Sequence, residues 1–370
     1  MKFLHTLALV TMTASAVAVD ATFYLGTYTK NGRSKGIYVG KLDTESGRLG
    51  EIQLAGEAKS PSFVALSPDR KFLYASIEDG GGAVGAFAVN ADGTLKPLNT
   101  QPSGGAGACH VWVDATSRNV LTANYGGGSI AVFRANPDGS LGERTAFVQF
   151  EGSGPDKGRQ KGPHAHSIYT DASNRFVYSC DLGTDNVWVF DFEAGKGTLT
   201  AANPPSGKVP PGEGPRHFAL HPNGKFAYVN NEMGLSVTAF SRDPATGALT
   251  GIQTLPTLPE GAERKGASTA EICIHPTAKW LYVSNRGHDS IAVYAIGADG
   301  KLTWIENAPA QVKIPRGAGI DPTGRWLVTA GQSGDRIAVL KIDVTTGRLS
   351  PTGQSAEVGS PVCVLFAPAK

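Results

Sequence analysis

The 370-residue sequence lacks the features that mark several large classes of protein function. Its four cysteines, Cys109, Cys180, Cys273 and Cys363, form no C-x-x-C pair, so neither a zinc knuckle nor a thioredoxin-type motif is indicated. The formal net charge is only +2 and like charges form no long blocks, which argues against a nucleic-acid or anionic-membrane partner. No G-x-S-x-G motif occurs, so a serine nucleophile of that type is not expected.

Long apolar runs are also missing, except at the N-terminus. There, Lys2 precedes the apolar stretch FLHTLALVTMTASAVAV, and Ala16-Val17-Ala18 fits an A-x-A cleavage site. We therefore predict a signal peptide at residues 1–18 and a periplasmic or secreted protein. No other stretch approaches the roughly 20 apolar residues that a membrane span needs, so no membrane contact is expected of the mature form.

One pattern occurs six times between residues 61 and 332. Each unit holds an apolar strand, a polar turn and a second strand rich in tyrosine, leucine and valine, which predicts a β-hairpin. The units are PSFVALSPDRKFLYASIE (61–78), ACHVWVDATSRNVLTANY (108–125), AHSIYTDASNRFVYSCDL (165–182), PRHFALHPNGKFAYVNNE (215–232), TAEICIHPTAKWLYVSNR (269–286) and PRGAGIDPTGRWLVTAGQ (315–332). A third apolar run follows each unit, and a D-G-x-L or T-G-x-L turn then opens a fourth. The starts lie 46 to 57 residues apart, which is typical of a four-stranded propeller blade.

The two ends of the chain supply a seventh unit. PVCVLFAP (361–368) matches a first strand, and TFYLGTY (22–28) matches a second. We therefore predict an all-β fold over residues 19–370: a seven-bladed β-propeller of four-stranded antiparallel blades. Its last blade is closed by the C-terminal strand together with three N-terminal strands.

Comparison of the repeats separates blade scaffold from candidate functional positions. A residue type shared by most blades serves packing, whereas polar residues that differ between blades at one strand end are candidates for function. The start of strand one and the end of strand two lie on the same face of an antiparallel hairpin, and strand one lines the channel of a propeller. The varied polar residues expected at one channel mouth are His164, His166, Arg216, Glu232, Glu271, Arg286 and Arg316.

The segment GPHAHS (162–167) carries the only His-x-His pair among the repeats. If both residues lie on a regular strand, His164 and His166 point to the same face and stand side by side. Such a pair can bind a metal, but neighbouring arginines oppose a divalent cation, and we expect neither a metal nor another cofactor. Proton transfer combined with anion binding fits the residue set better, since arginine holds carboxylates and phosphates and histidine acts as a general base near neutral pH. Either histidine can be that base.

Eight short motifs resemble a known family. They are GTYT (26–29), ANYGGGSI (123–130), GPHAHS (162–167), DLGTDNV (181–187), GPRH (214–217), NNE (230–232), AEI (270–272) and SNRGHDSI (284–291). In this order and in these blades, they resemble the seven-bladed lactonases, which include propeller-type 6-phosphogluconolactonases and fungal carboxymuconate-lactonizing enzymes.

The resemblance implies a metal-independent site at the channel mouth. Its catalytic residues would be His164 or His166, Arg216, Glu232 and Arg286. The substrate contacts that we expect around them are Asn124, Tyr125, Asp181, His217, Glu271 and Arg316.

The function expected from the sequence is a monomeric lactone hydrolase acting on a sugar-acid lactone with an anionic group. In this reaction histidine activates water and arginine stabilises the oxyanion. Two alternatives stay open: a muconate-type lactonizing enzyme that uses the same residues, and a non-catalytic exported propeller that binds a ligand. An exported chain fits poorly with phosphogluconolactone, a cytoplasmic intermediate, so another sugar-acid lactone is a second candidate substrate.

Overall fold

A computed structural model describes residues 20–30 and 32–368, so the predicted signal peptide at 1–18 lies outside the described residues. The described chain forms 28 strands in seven separate sheets of four antiparallel strands each. Within the same residues, no helix has the length and apolar character needed to cross a membrane.

The strands of the first four units are β1 (Asp20–Thr27), β2 (Gly36–Asp43), β3 (Gln53–Glu57), β4 (Pro61–Leu66), β5 (Phe72–Ile77), β6 (Ala83–Val89), β7 (Leu95–Pro102), β8 (Ala108–Val113), β9 (Asn119–Asn124), β10 (Ser129–Ala135), β11 (Leu141–Gln149), β12 (Ala165–Thr170), β13 (Phe176–Asp181), β14 (Asn186–Glu193) and β15 (Thr198–Lys208). The remaining strands are β16 (Pro215–Leu220), β17 (Phe226–Asn231), β18 (Ser236–Arg242), β19 (Leu249–Pro256), β20 (Ser268–Ile274), β21 (Trp280–Arg286), β22 (Ser290–Ile296), β23 (Leu302–Pro309), β24 (Pro315–Ile320), β25 (Trp326–Gly331), β26 (Arg336–Ile342), β27 (Leu349–Glu357) and β28 (Pro361–Phe366).

Six blades use four consecutive strands, and one blade joins both ends of the chain. Blades 2 to 7 run from β4 to β27 in groups of four, whereas blade 1 has the strand order β28-β1-β2-β3. In blade 1, Phe23 pairs with Phe366 and Leu25 with Val364, so backbone hydrogen bonds hold the C-terminal strand against the first one. The predicted seven-bladed propeller and its mode of closure are confirmed.

The apolar core is divided into seven clusters, and each cluster lies between two neighbouring blades. Phe176 and Val187 of blade 4, for example, share a cluster with Phe240 and Leu249 of blade 5. The cluster between blades 7 and 1 closes the ring in the same way. A twisted four-stranded sheet exposes apolar side chains on both faces, so each blade needs a neighbour on either side.

Repeated tyrosine hydroxyls connect the blades. The strand-two tyrosine of one blade donates to a glycine carbonyl in the outer turn of the next blade. These bonds are Tyr24 to Gly93, Tyr74 to Gly139, Tyr178 to Gly247, Tyr228 to Gly300 and Tyr282 to Gly347, with lengths of 2.9 to 3.0 Å. The tyrosine that recurs in strand two of the repeats therefore forms a hydrogen bond to the next blade in addition to packing in the core. In blade 7, where Val328 replaces the tyrosine, Trp326 Nε1 donates instead to the Thr44 carbonyl of blade 1.

The glycines in these outer turns have a second task. Gly300 has a φ of +78°, and a Cβ atom added there would lie 2.3 Å from Cδ1 of Phe226 in the preceding blade. Gly247 meets Phe176, and Gly347 meets Trp280, in the same manner. The glycine of each D-G or T-G turn thus leaves room for an aromatic ring to pack against the backbone. Its carbonyl oxygen also accepts the hydrogen bond from the tyrosine hydroxyl.

We expect Gly300→Ala to lower the melting temperature more than Gly353→Ala. Both glycines have a φ of +78°, but a Cβ at Gly353 meets no atom within 4 Å. The left-handed backbone should cost each variant about 1 kcal/mol, and the clash with Phe226 should cost Gly300→Ala about 1–3 kcal/mol more. Calorimetry or circular dichroism of the two purified variants measures the difference. Equal losses would show that the ring against the glycine does not stabilise the blade contact.

Candidate active site

A bulge at the start of each inner strand directs side chains into one mouth of the channel. In every blade the pairing of strands one and two skips a position there; in blade 5, Pro215 pairs with Asn231 and His217 with Asn230, so Arg216 is left over. The skipped residues are Val362, Ser62, Cys109, His166, Arg216, Ala270 with Glu271, and Arg316. Bulges bend a strand and re-aim a side chain, which accounts for the convergence at the mouth.

Glu232 lies at the centre of this mouth and is contacted by three arginines. Its carboxylate lies 3.1 Å from Nε of Arg216, 3.0 Å from Nη2 of Arg286 and 2.8 Å from Nη2 of Arg159. Glu232 directly follows β17 in blade 5, whereas Arg286 is the last residue of β21 in blade 6. Its side chain is only 8% exposed, so the charge-assisted contacts replace most of its hydration.

The arginines keep the Glu232 carboxylate ionised. Burial alone would raise its pKa, but the guanidinium groups of Arg286, Arg216 and Arg159 outweigh burial and lower the pKa to about 2. Burial lowers the pKa of Arg286 to about 10, so this group stays protonated at neutral pH. One negative and three positive charges leave an excess of positive charge at the mouth.

His166 and His164 both contact the ring of Tyr125, but they do not stand side by side on a strand. The strand β12 begins at Ala165, so His164 precedes it, and His166 is the bulged residue. The sequence-based expectation that the two imidazoles stand side by side on one strand was wrong, because the bulge breaks the alternation of side chains. His164 stacks on Tyr125 with ring centroids 4.5 Å apart, and His166 meets the same ring edge-on at 5.4 Å.

The two imidazoles have different surroundings. His166 is buried, and its Nε2 lies 3.9 Å from the carboxylate of Glu232. Burial and the charge of Arg216 hold its pKa well below the usual range, so the ring is neutral at pH 7. His164 is half-buried, and its Nδ1 lies 2.9 Å from the carbonyl oxygen of Tyr125. A carbonyl only accepts, so Nδ1 carries the proton and Nε2 presents a lone pair.

His217 and Glu271 lie behind Arg216 rather than at the open face. Nη1 of Arg216 donates to Nε2 of His217 over 3.1 Å, so the imidazole proton resides on Nδ1, which donates to Glu271 over 2.8 Å. Burial and Arg216 hold the pKa of His217 well below its usual range. Burial raises the pKa of Glu271 to about 7, against the opposing charge of Arg216. The two residues form a buried support for the guanidinium group.

Arg316 belongs to a second group on the other side of the mouth. Its guanidinium carbon lies 5.4 Å from the ring centroid of Tyr28, whose hydroxyl donates to Glu78 over 2.9 Å. Tyr28 and Glu78 directly follow strand two of blades 1 and 2. The aromatic face and the nearby carboxylate stabilise the arginine, which forms no direct ion pair with residues 20–30 or 32–368.

Asn124 and Asp181 hold turns and do not line the open mouth. Nδ2 of Asn124 donates to Ser129 Oγ over 3.1 Å, and the asparagines at the same position in blades 5 and 6 make the equivalent bond. Asp181 accepts from the backbone N–H of His164 over 2.7 Å, so it fixes the main chain beside that ring. Both side chains are fully buried.

Arg159 was not identified from the repeats because it lies between two of them. It belongs to the segment that links β11 and β12, where the repeat spacing is longest. Gln160, fully buried, anchors this segment by donating to the Leu182 carbonyl and to Asp185, each over 2.8 Å. Arg159 then reaches both Glu232 and the hydroxyl of Tyr125. The long spacing between these two repeats, and the polar residues in the linking segment, were the sequence features that could have indicated a functional residue there.

Neither the cysteines nor the carboxylates of the described residues form an evident metal centre. Within residues 20–30 and 32–368, no group of three or more His, Cys, Asp or Glu side chains is placed to hold a metal ion. All four cysteines are free thiols. Burial raises the pKa of Cys109, which lies near His166, to about 12, so it is not a thiolate at neutral pH.

Known proteins share both the sequence and the architecture. The family model described as "Lactonase, 7-bladed beta-propeller" matches residues 22–366. The 6-phosphogluconolactonase of Bacillus subtilis strain 168 is 37% identical over 93% of this chain and 97% of its own length.

Two solved structures extend the comparison. A candidate 6-phosphogluconolactonase from Bacteroides fragilis is 35% identical, with a TM-score of 0.87 over 96% of this chain and 99% of its own. The periplasmic gluconolactonase of Pseudomonas aeruginosa is 27% identical, with a TM-score of 0.89 over 95% of this chain and 100% of its own. The family match spans nearly all of the described residues, and the chain belongs to the seven-bladed β-propeller lactonase family.

Proposed function

We propose that this protein hydrolyses a sugar-acid lactone that carries an anionic group, as a 6-phosphogluconolactonase does. The observation that carries the proposal is the contact of three arginines with one carboxylate beside a neutral histidine at the channel mouth. The net positive charge suits a phosphate or carboxylate on the substrate. The relatives named 6-phosphogluconolactonase and gluconolactonase support the same reaction class.

We assign the role of general base to His164. Its Nδ1–H is held by the Tyr125 carbonyl, so Nε2 is oriented with a free lone pair, and the half-buried ring is reachable from solvent. Nε2 removes a proton from water, and the water oxygen attacks the lactone carbonyl carbon. The ring C–O bond then breaks, and the departing oxygen takes the proton back from Nε2, which yields a hydroxy acid. His166, buried against Glu232, helps to shape the pocket.

Arg286 is the best placed donor for the developing oxyanion. One of its Nη atoms is engaged by Glu232 and the Thr269 carbonyl, but its buried Nε–H has no partner within the described structure. Arg216, by contrast, already contacts Glu232, His217 and the Ala270 carbonyl. An unpaired buried donor is costly in the free enzyme and gains a partner when negative charge develops on the carbonyl oxygen.

Arg159 is suited to hold the substrate's anionic group. It is the most exposed of the three arginines around Glu232, with 46% of its side chain accessible, and it is carried by an anchored loop above the mouth. Glu232 orients it together with Tyr125, so its guanidinium is pre-positioned. The predicted leader and the similarity to a periplasmic gluconolactonase support a site of action outside the cytoplasm.

We expect the purified mature protein to release acid from gluconolactone or 6-phosphogluconolactone, and Arg286→Ala to lower kcat/KM by roughly 10²–10³-fold. Arg348→Ala is the control, because this arginine forms an exposed ion pair with Glu306 on the outside of the ring. A pH-stat assay with and without chelator measures both reaction class and metal dependence. No turnover of any lactone by the wild type would contradict the proposed function, and normal activity of Arg286→Ala would contradict the role of this arginine.

His164→Gln and His166→Gln should differ in kcat. Loss of the base should reduce kcat by roughly 10²–10⁴-fold in His164→Gln, while His166→Gln should retain a larger share of turnover. Single-turnover kinetics with the best lactone of the panel measures the chemical step directly. The assignment fails if His164→Gln keeps its activity and His166→Gln loses it.

Glu271 should make stability depend on pH in a defined direction. Its folded pKa of about 7 lies above its ordinary value of 4.5, so the folded state binds this proton more tightly than the unfolded state. The resulting stabilisation is complete below pH 4.5 and is lost as the pH rises to about 7. Glu271→Gln cannot ionise, so its free energy of unfolding relative to wild type should rise over this interval, by on the order of 1–3 kcal/mol.

Urea titrations of both proteins at pH 5, 6, 7 and 8 test this difference. Taking the difference removes the contributions of titrating groups that lie away from Glu271, which are common to both proteins. A difference that stays constant between pH 5 and 8 would show that Glu271 does not titrate in this range.

A further inference from the structure

The end of the channel opposite the mouth holds a cavity that the proposed reaction does not use. Its volume is about 860 Å³, within the range of small-molecule sites. It is formed where the inner strands end, on the far face of the disc from Glu232. Six of the apolar side chains that line it come from six different blades: Leu66, Trp112, Tyr169, Leu220, Ile274 and Phe366.

These six apolar side chains remain partly exposed, although the clusters between blades bury similar residues completely. Elsewhere among the described residues, the exposed large hydrophobic side chains are Phe147, Trp304 and Val344, which come from three different blades. Partly exposed apolar side chains from six blades therefore line this end of the channel. A contiguous apolar concavity of this kind is characteristic of a ligand site.

A plug of aromatic rings separates the cavity from the mouth. The His110 ring lies 4.2 Å from Phe63 and 4.6 Å from Tyr169, both of which line the cavity. On its other side it lies 5.5 Å from His217, which supports Arg216. His110 is fully buried, so a molecule in the cavity stays apart from the lactone site.

Positive charge lies at the rim of the cavity. Arg242 is paired with Asp171 over 2.8 Å, and both side chains are buried, so this pair is neutral overall. Arg175 is exposed on the same rim; it donates to the Ala245 carbonyl and lies over the Phe176 ring, and neither contact cancels its charge. Arg70 donates to the carbonyl of Pro368, another cavity residue. An apolar interior below a cationic rim is complementary to an apolar body with an anionic end.

We propose that this cavity is a second ligand site, which binds a small amphipathic monocarboxylate. The aliphatic or aromatic body occupies the space between Trp112, Leu220 and Phe366, and the carboxylate faces Arg175 at the rim. The site is independent of lactone hydrolysis, because the plug around His110 lies between the two.

Decanoate and its uncharged counterpart decanol are the probes. Both should quench the fluorescence of Trp112 with saturation, and Trp112→Phe should remove that quenching, since the four other tryptophans do not line the cavity. Arg175→Glu should weaken decanoate binding by roughly tenfold or more and leave decanol binding unchanged. Arg336→Glu, an equal charge change at the start of β26 on the mouth face, should leave both unchanged. Circular dichroism and the melting temperature report that each variant is folded.

Four results would overturn the proposal. The first is the absence of saturable decanoate binding to wild type, and the second is equal decanoate affinity of wild type and Arg175→Glu. The third is a dimer in sedimentation experiments that decanoate does not dissociate, because a second copy of the chain would then cover the cavity. Quenching that persists in Trp112→Phe would likewise place the ligand elsewhere.

Discussion

The structure depends on the need of each blade to cover both of its faces. A single four-stranded sheet leaves apolar side chains exposed on either side, and a row of such sheets would still leave two uncovered faces at its ends. Pairing β28 with β1 removes those ends, because the first blade then packs against the seventh. The tyrosine hydroxyls and outer-turn glycines fix the angle between neighbours, as in the bond from Tyr228 to Gly300. Ring closure in turn brings the starts of seven inner strands to one small area.

Much of this was readable from the sequence because the repeats could be compared with one another. The number of blades, the closure and two of the three arginines around Glu232 follow from the spacing and from the positions that vary between repeats. The bulges were not readable, since a skipped pairing at Arg216 or His166 leaves no mark in the alternation of apolar residues. The expected pairing of His164 with His166 failed for this reason.

Residues outside the repeat pattern, or hidden behind it, were also missed or placed differently. Arg159 belongs to a linking segment for which no other blade offers a comparison. Asn124 and Asp181 end strand two of their blades and so looked functional, yet Asn124 bonds to the first residue of β10 and Asp181 to the turn that follows β13. A position that differs between repeats does not serve the packing that the blades share. Only its contacts in the folded chain show whether it stabilises a turn or forms part of a site.

The buried histidine rings at the mouth are neutral and therefore do not repel the neighbouring arginines. A carboxylate contacted by three guanidinium groups is stable as an ion, but the guanidiniums must also keep charge available for a substrate. Protonated histidines next to Arg216 would add to the repulsion, whereas burial and the arginine charges hold His166 and His217 neutral. A neutral His217 can then accept a hydrogen bond from Arg216 at Nε2 and donate one to Glu271 from Nδ1. His110 continues the row of neutral rings towards the apolar cavity. The channel therefore changes from charged to neutral to apolar along its axis, and the arginines around Glu232 lie at its charged end.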